Sequence, residues 1–321
     1  MRRLSMLLLC AGSMACGTLG SDQGGADNLP QRGIGPYEKL ALAEGDFLFL
    51  STDEETVEAP AALVSEGQLD VYFIARGAGA PVRVERARAV EALAFAPAVT
   101  VLTTEGAPAW VGEDLAGPSL TYDGARLWMA LSVAGGTAIA LIPSDDGATF
   151  DWGAAVQALQ AAPGELLTSP SLVWDEDRFL LYFGGDGSVR LATGDPANGF
   201  TRQGVVLSPD DSCEGGCWDA EDVGQPDVRR AVGGAGETLY RMFYASARLG
   251  KHNIGFAASH DGFSWVRSAR NPVLQEGPDE REPSAIRFHD DYYLFFIERR
   301  AAGDSGVRAA RAAEGTPTDS W

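Results

Sequence analysis

The stretch Ser169–Gly185, SPSLVWDEDRFLLYFGG, decides the fold. A proline opens an apolar run, acidic residues make a turn, and a second run mixes Leu, Tyr and Phe. Two apolar runs either side of a short polar turn read as a β-hairpin. The same pattern recurs at Glu58 (EAPAALVSEGQLDVYFIA), Ala116 (AGPSLTYDGARLWMALS), Gly224 (GQPDVRRAVGGAGETLYRMFYAS) and Arg281 (REPSAIRFHDDYYLFFIE). The anchoring prolines are Pro60, Pro118, Pro170, Pro226 and Pro283, spaced by 58, 52, 56 and 57 residues.

Each copy continues into a third run, such as SVRLATGDP from Ser188 or NIGFAASHDGFSW from Asn253, and most into a fourth, such as QGVVLSP from Gln203. Four strands per unit of about 40–60 residues is the form of a β-propeller blade. Alternation supports strands over helices: Leu127, Met129 and Leu131 share one face, while Trp128 and Ala130 take the other. Five copies predict an all-β, five-bladed propeller with four antiparallel strands per blade. The last copy lacks a fourth run, and GDFLFLST (Gly45–Thr52) is a strand without a blade, so it is expected to close blade five and cover an open sheet edge. SDDGATF from Ser144 and SHDGFSW from Ser259 read as blade turns.

Residues 1–16 read as an export signal, with Arg2 and Arg3 ahead of a short apolar region from Leu4 to Ala15. That run is shorter than the roughly 20 residues a membrane-spanning helix needs. The segment resembles a bacterial lipoprotein signal: Cys16 stands between Ala15 and Gly17, although Ser13 occupies the position where such signals usually carry leucine. Lipidation of Cys16 would place the protein in the cell envelope, at the outer membrane or cell surface, held by the lipid anchor only. Cleavage without lipidation leaves a secreted or periplasmic protein. Residues 17–39 are Gly-rich and polar, as in a tether, and 40–321 form the propeller.

Acidic residues outnumber basic ones for a formal net charge of −20, a field that repels polyphosphates and argues against nucleic acid as a partner. In SCEGGCW, Cys213 and Cys217 are Gly-flanked and close, so an exported chain is expected to join them in a local disulfide. With three histidines in the chain, a metal site at these cysteines lacks ligands. No metal or cofactor is expected, and a monomer is.

The Pro-Ser start, acidic turn, YYLFF and SHDGFSW pattern resembles the five-bladed propellers of glycoside hydrolase families 43 and 32. In that clan three carboxylates point into the central funnel from the starts of inner strands, as base or nucleophile, as general acid, and as a group that tunes the acid. Glycoside hydrolysis needs two carboxyl groups flanking the bond, about 5–5.5 Å apart for retention or about 6.5–9.5 Å for inversion. Just before the repeated prolines, Glu58 and Glu282 are the carboxylates, and blade four adds Asp227 after its proline. Blades five and one are ring neighbours, so Glu58 and Glu282 are expected to approach. EAP at Glu58 resembles the Glu-Gly-Pro that carries the family acid, which implies Glu58 as acid and Glu282 as base, kept ionised by Arg281 or another cation, with Asp227 or Asp219 third. The Asp-Pro usual in the family's first blade is absent. The loop CEGGCWDAEDVGQPD offers Trp218 as an apolar platform and Asp219, Asp222 and Gln225 as hydroxyl acceptors, with Arg281 nearby. Two functions stay open: a carbohydrate-active protein that hydrolyses or binds glycans in the funnel, or an inactive propeller serving as an interaction platform in the envelope.

Overall fold

The computed structural model describes residues 34–41, 47–91, 93–210, 212, 217–232, 237–274, 277, 279–300 and 303–312. Five antiparallel sheets follow one another along the chain. Their innermost strands are Glu55–Ser65, Leu115–Tyr122, Thr168–Asp175, Gly224–Val232 and Glu280–Phe288, and each pairs with the next strand to form the hairpin read from the sequence. These five strands surround a common axis, and the chain is a five-bladed β-propeller.

Each second strand is apolar on both faces because each sheet is covered by a neighbour on either side. In blade two, Leu127, Met129 and Leu131 face blade one, while Trp128 and Ala130 face blade three. In blade three, Leu181 and Phe183 face back and Leu180 and Tyr182 face forward. In blade five, Leu294 and Phe296 face blade four, and Phe295 and Ile297 face blade one. Five apolar clusters result, one per interface. Burying each large side chain contributes about 1.5–3 kcal/mol.

The two S-x-D-G turns join blades as well as strands. Ser144 Oγ accepts the Gly147 N–H and Asp146 Oδ1 accepts those of Ala148 and Thr149; Ser259 and Asp261 repeat the arrangement for Gly262, Phe263 and Ser264. A buried tyrosine of the preceding blade donates to each turn: Tyr72 to the Gly147 carbonyl at 2.9 Å and Tyr182 to the Gly262 carbonyl at 2.8 Å.

The N-terminal segment closes the ring in two pieces rather than one. Phe49–Leu50 pairs with Ser305–Ala312 as anticipated, but Tyr37–Lys39 pairs with the same strand farther along, Tyr37 opposite Ala312. The tether expected to run to residue 39 therefore ends earlier: Ile34 and Tyr37 are buried against Phe243, Phe256 and Leu294. The polar look of residues 17–39 hid two apolar residues that serve the blade-four/blade-five interface. Lys39 Nζ then reaches the buried carboxylates of Glu280 (2.7 Å) and Glu298 (2.5 Å), fixing the segment to blade five.

Candidate functional site at the funnel rim

One local device builds the rim. In every inner strand the register shifts around the proline, so that one extra residue opposes the second strand. This is a β-bulge, which bends the strand toward the axis. The residue before each proline takes positive φ: Ala59 51°, Gly117 57°, Ser169 45°, Gln225 50° and Glu282 53°. Left-handed backbone costs an L-residue about 1–2 kcal/mol. Its recurrence in all five blades marks the strain as architecture rather than as a feature of one catalytic residue. The five residues and their prolines ring a channel of only 30 Å³.

Glu282 is the one ionisable side chain among these five positions. Its Oε2 accepts the Ala59 N–H at 2.6 Å, and its own N–H donates to Gln225 Oε1 at 3.0 Å, so blades four, five and one meet at this residue. Burial pushes the Glu282 carboxyl above the ordinary glutamate range. The Ala59 N–H pulls it back, the charge of Glu58 adds to the rise, and Arg299 and Arg281 lower it. Glu58 and Glu282 are thus electrostatic neighbours, as the ring order implies. Burial gives Glu282 the raised affinity for a proton that a general acid needs.

Glu58 itself is turned into a clamp. Arg76 donates from Nε to Glu58 Oε2 at 2.9 Å, binds Asp114 through Nη1, and donates to the Leu115 carbonyl at 2.5 Å from Nη2. The guanidinium therefore ties blade one to blade two. Arg281 acts on Glu282 through its charge, while its Nε donates to Asp279 Oδ2 at 2.8 Å, and Asp279 Oδ1 also lies 2.9 Å from His252 Nδ1.

Asp227, the expected third carboxylate, lines the channel but is 7 % exposed and fully used. Its Oδ2 accepts the Ala285 N–H at 2.8 Å and its Oδ1 lies 2.9 Å from Arg229 Nη2. It stands where other blades carry a serine that bridges to the next blade. Ser119 Oγ accepts the Leu172 N–H, Ser171 Oγ that of Val228, and Ser284 Oγ that of Ala62. Four of the five inter-blade steps are bridged in this way, and the position in blade one is Ala61. Arg229, which the sequence reading missed, reaches across the axis: besides Asp227 it donates to the Ala62 carbonyl at 3.1 Å and Ser284 Oγ at 3.2 Å. An arginine two residues after a buried aspartate was the available signal.

The loop before blade four is packed inward. Asp219 is 1 % exposed, accepting from Tyr244 Oη at 3.0 Å and Arg267 Nε at 2.7 Å, so it presents no free carboxylate to a ligand. Trp218, expected as an apolar platform, lies tilted on Tyr244 at 5.5 Å between centroids and is half-buried against the blade-three/blade-four core. Cys217 is buried; Cys213, and with it the expected disulfide, lies outside the described residues, as does Cys16. Cys217, Asp210 and Asp219 bring their ligand atoms within 4.8 Å of one another, but the cation held there is the Arg267 guanidinium.

Asp222 caps the rim by accepting the Ala247 N–H at 2.7 Å, and it borders a cleft of 250 Å³ between blades three and four. Asp186, Gln225 and His252 also line this cleft, together with the backbone of Gly184, Gly185 and Gly187. Gln225 is shared with the channel, so cleft and Glu282 form one continuous polar surface.

Sequence comparison finds no matching family model and no matching curated protein. Comparison of structures finds many propellers of the same form. One described as a glycoside hydrolase has a TM-score of 0.66 at 15% identity, covering 93% of this chain and 97% of its own. A thermostable family-43 glycoside hydrolase has a TM-score of 0.64 at 16% identity over 83% and 93% of the two chains. The catalytic domain of the Coprinopsis cinerea GH62 α-L-arabinofuranosidase has a TM-score of 0.65 at 13% identity over 88% and 98%. In fold, the chain is a five-bladed β-propeller of the kind seen in family-43 and related glycoside hydrolases.

Proposed function

We propose that this propeller is a carbohydrate-active protein that binds a glycan, without hydrolysing it, on the face where the inner strands begin. The observation that carries the reading is the state of the rim carboxylates. Glu282 is the sole ionisable group at the five rim positions, whereas Glu58 is engaged by Arg76 and Asp227 by Arg229 and the Ala285 amide. Two-carboxylate hydrolysis needs a second group free to act opposite the first. Binding needs only hydrogen-bonding groups, and Glu282, Gln225, His252, Asp186 and Asp222 line the rim and its cleft. The likeness of fold to glycoside hydrolases supports a sugar as the ligand.

Hydrolysis is the second reading, favoured by the raised carboxyl of Glu282 beside the charge of Glu58. A glycan array combined with assays on aryl arabinosides, aryl xylosides and fructans separates the two. Saturable binding that Gln225→Ala and Asp222→Ala weaken, with no turnover, is the expected result. Turnover abolished by Glu282→Gln supports the second reading, and no binding to any glycan rejects both in favour of an interaction platform. We also propose envelope anchoring through lipidated Cys16. Mass spectrometry of the mature N-terminus tests it, and an unmodified terminus beyond Cys16 rejects it.

A further inference from the structure

The opposite face holds a second cavity. It lies between blades four and five, has a volume of 410 Å³, and is reached by the inner strand of blade four four to six residues beyond Gln225. At about 3.3 Å per residue, that is on the order of 15 Å from the rim. Four arginines line it, Arg229, Arg230, Arg241 and Arg287, and among the described residues no carboxylate does. In a chain of net charge −20, this lining gathers four guanidiniums, and with them a concentration of N–H donors suited to an anion. The ion-pair partners of three lie outside the lining: Asp227 for Arg229, Asp175 and Glu176 for Arg230, and Asp290 for Arg287.

Two of the arginines lie against rings. Arg241 is 9 % exposed, with its guanidinium carbon 5.2 Å from the Tyr292 centroid and 5.9 Å from that of Phe243; Arg287 approaches the same Tyr292 ring at 6.0 Å. Cation–π contact of this kind holds a guanidinium at an aromatic wall, and its planar N–H fork suits carboxylate or phosphate oxygens. Phe243, Ile286 and Tyr292 supply the apolar part of the wall. The volume falls within the range of small-molecule sites.

We propose that this cavity is a binding site for a small organic anion, one with a carboxylate or phosphate group on an apolar or aromatic body, separate from the glycan face. The oxyanion would meet the guanidiniums and the apolar body would lie against Phe243 and Ile286.

Calorimetric titration of the folded propeller with phenyl phosphate, benzoate and neutral benzyl alcohol tests the proposal. The expected result is one saturable site for at least one of the two anions, weakened by added salt and at least tenfold tighter than any binding of benzyl alcohol. Arg287→Glu, at a position 52 % exposed and so tolerant of change, should weaken the anion at least tenfold with an unchanged melting temperature. Arg230→Gln should weaken it severalfold. Which anion binds more tightly identifies the recognised group. Failure of both anions to bind, equal binding of benzyl alcohol, or undiminished anion binding in Arg287→Glu would overturn the proposal. None of these outcomes depends on glycan binding at the rim.

Discussion

The backbone N–H of Ala59 donates to the Glu282 carboxylate at 2.6 Å across 223 residues of sequence. The bond closes the ring, because Ala59 begins the first blade and Glu282 the last. It also places a half-buried carboxyl at the seam between the last blade and the first, so titration of that group bears on closure.

Glu282→Gln should therefore change the pH dependence of stability. A carboxyl raised in the folded state contributes fully below its unfolded pKa of about 4.3, and the contribution is lost as pH rises through the folded value. The glutamine keeps an oxygen for the Ala59 N–H and does not ionise. Its melting temperature relative to wild type should rise between pH 4 and pH 8. Parallel curves would show that the carboxyl is not raised.

Lys39→Met tests the buried cluster that holds the N-terminal segment. Burial raises the Glu298 carboxyl, but Lys39 and Arg300 outweigh it and hold the group at about 2; burial keeps Glu280 above its ordinary value despite Lys39. Removing the ammonium leaves both carboxylates buried beside each other, for an expected loss of about 3–5 kcal/mol in denaturant unfolding at neutral pH. The sign for Glu298 is opposite to that for Glu282: its contribution is present above about 4.3 and lost as pH falls toward 2. The deficit of the variant should accordingly shrink in acid.

Serine bridges between blades give a paired test. Ser171→Ala leaves the buried Val228 N–H without its 2.8 Å acceptor and should cost about 1–3 kcal/mol. Ala61→Ser supplies the hydroxyl that blade one lacks, aimed at the Leu120 N–H, and should add about 1 kcal/mol. Chemical denaturation of both variants checks the opposite signs.

Gly117→Ala separates backbone strain from steric fit. Ala59 takes nearly the same φ in blade one, so conformation alone does not forbid alanine. At Gly117, however, a Cβ would stand 2.8 Å from the Ser169 Cα, which is backbone of the next blade and cannot give way cheaply. A loss of about 2–4 kcal/mol is expected, against a much smaller effect of Ala59→Gly.

The repeat of proline, apolar run, acidic turn and aromatic run was sufficient to specify five blades. Strand pairing within a blade is local, and the period-2 split of residues such as Leu127 and Trp128 between two faces is written in consecutive positions. The closing role of Phe49–Leu50 was also legible, because a ring with one strand missing has only one edge to cover. The availability of each carboxylate was not. Glu58, Asp227 and Asp219 look alike in sequence as acids near a strand start, yet Arg76, Arg229 and Arg267 engage them, and Glu282 keeps a raised carboxyl. Those outcomes depend on contacts between residues 2 to 223 positions apart, the longest of them across the ring-closing seam. Ion pairing and desolvation follow distance and burial in space, which the folded ring alone decides.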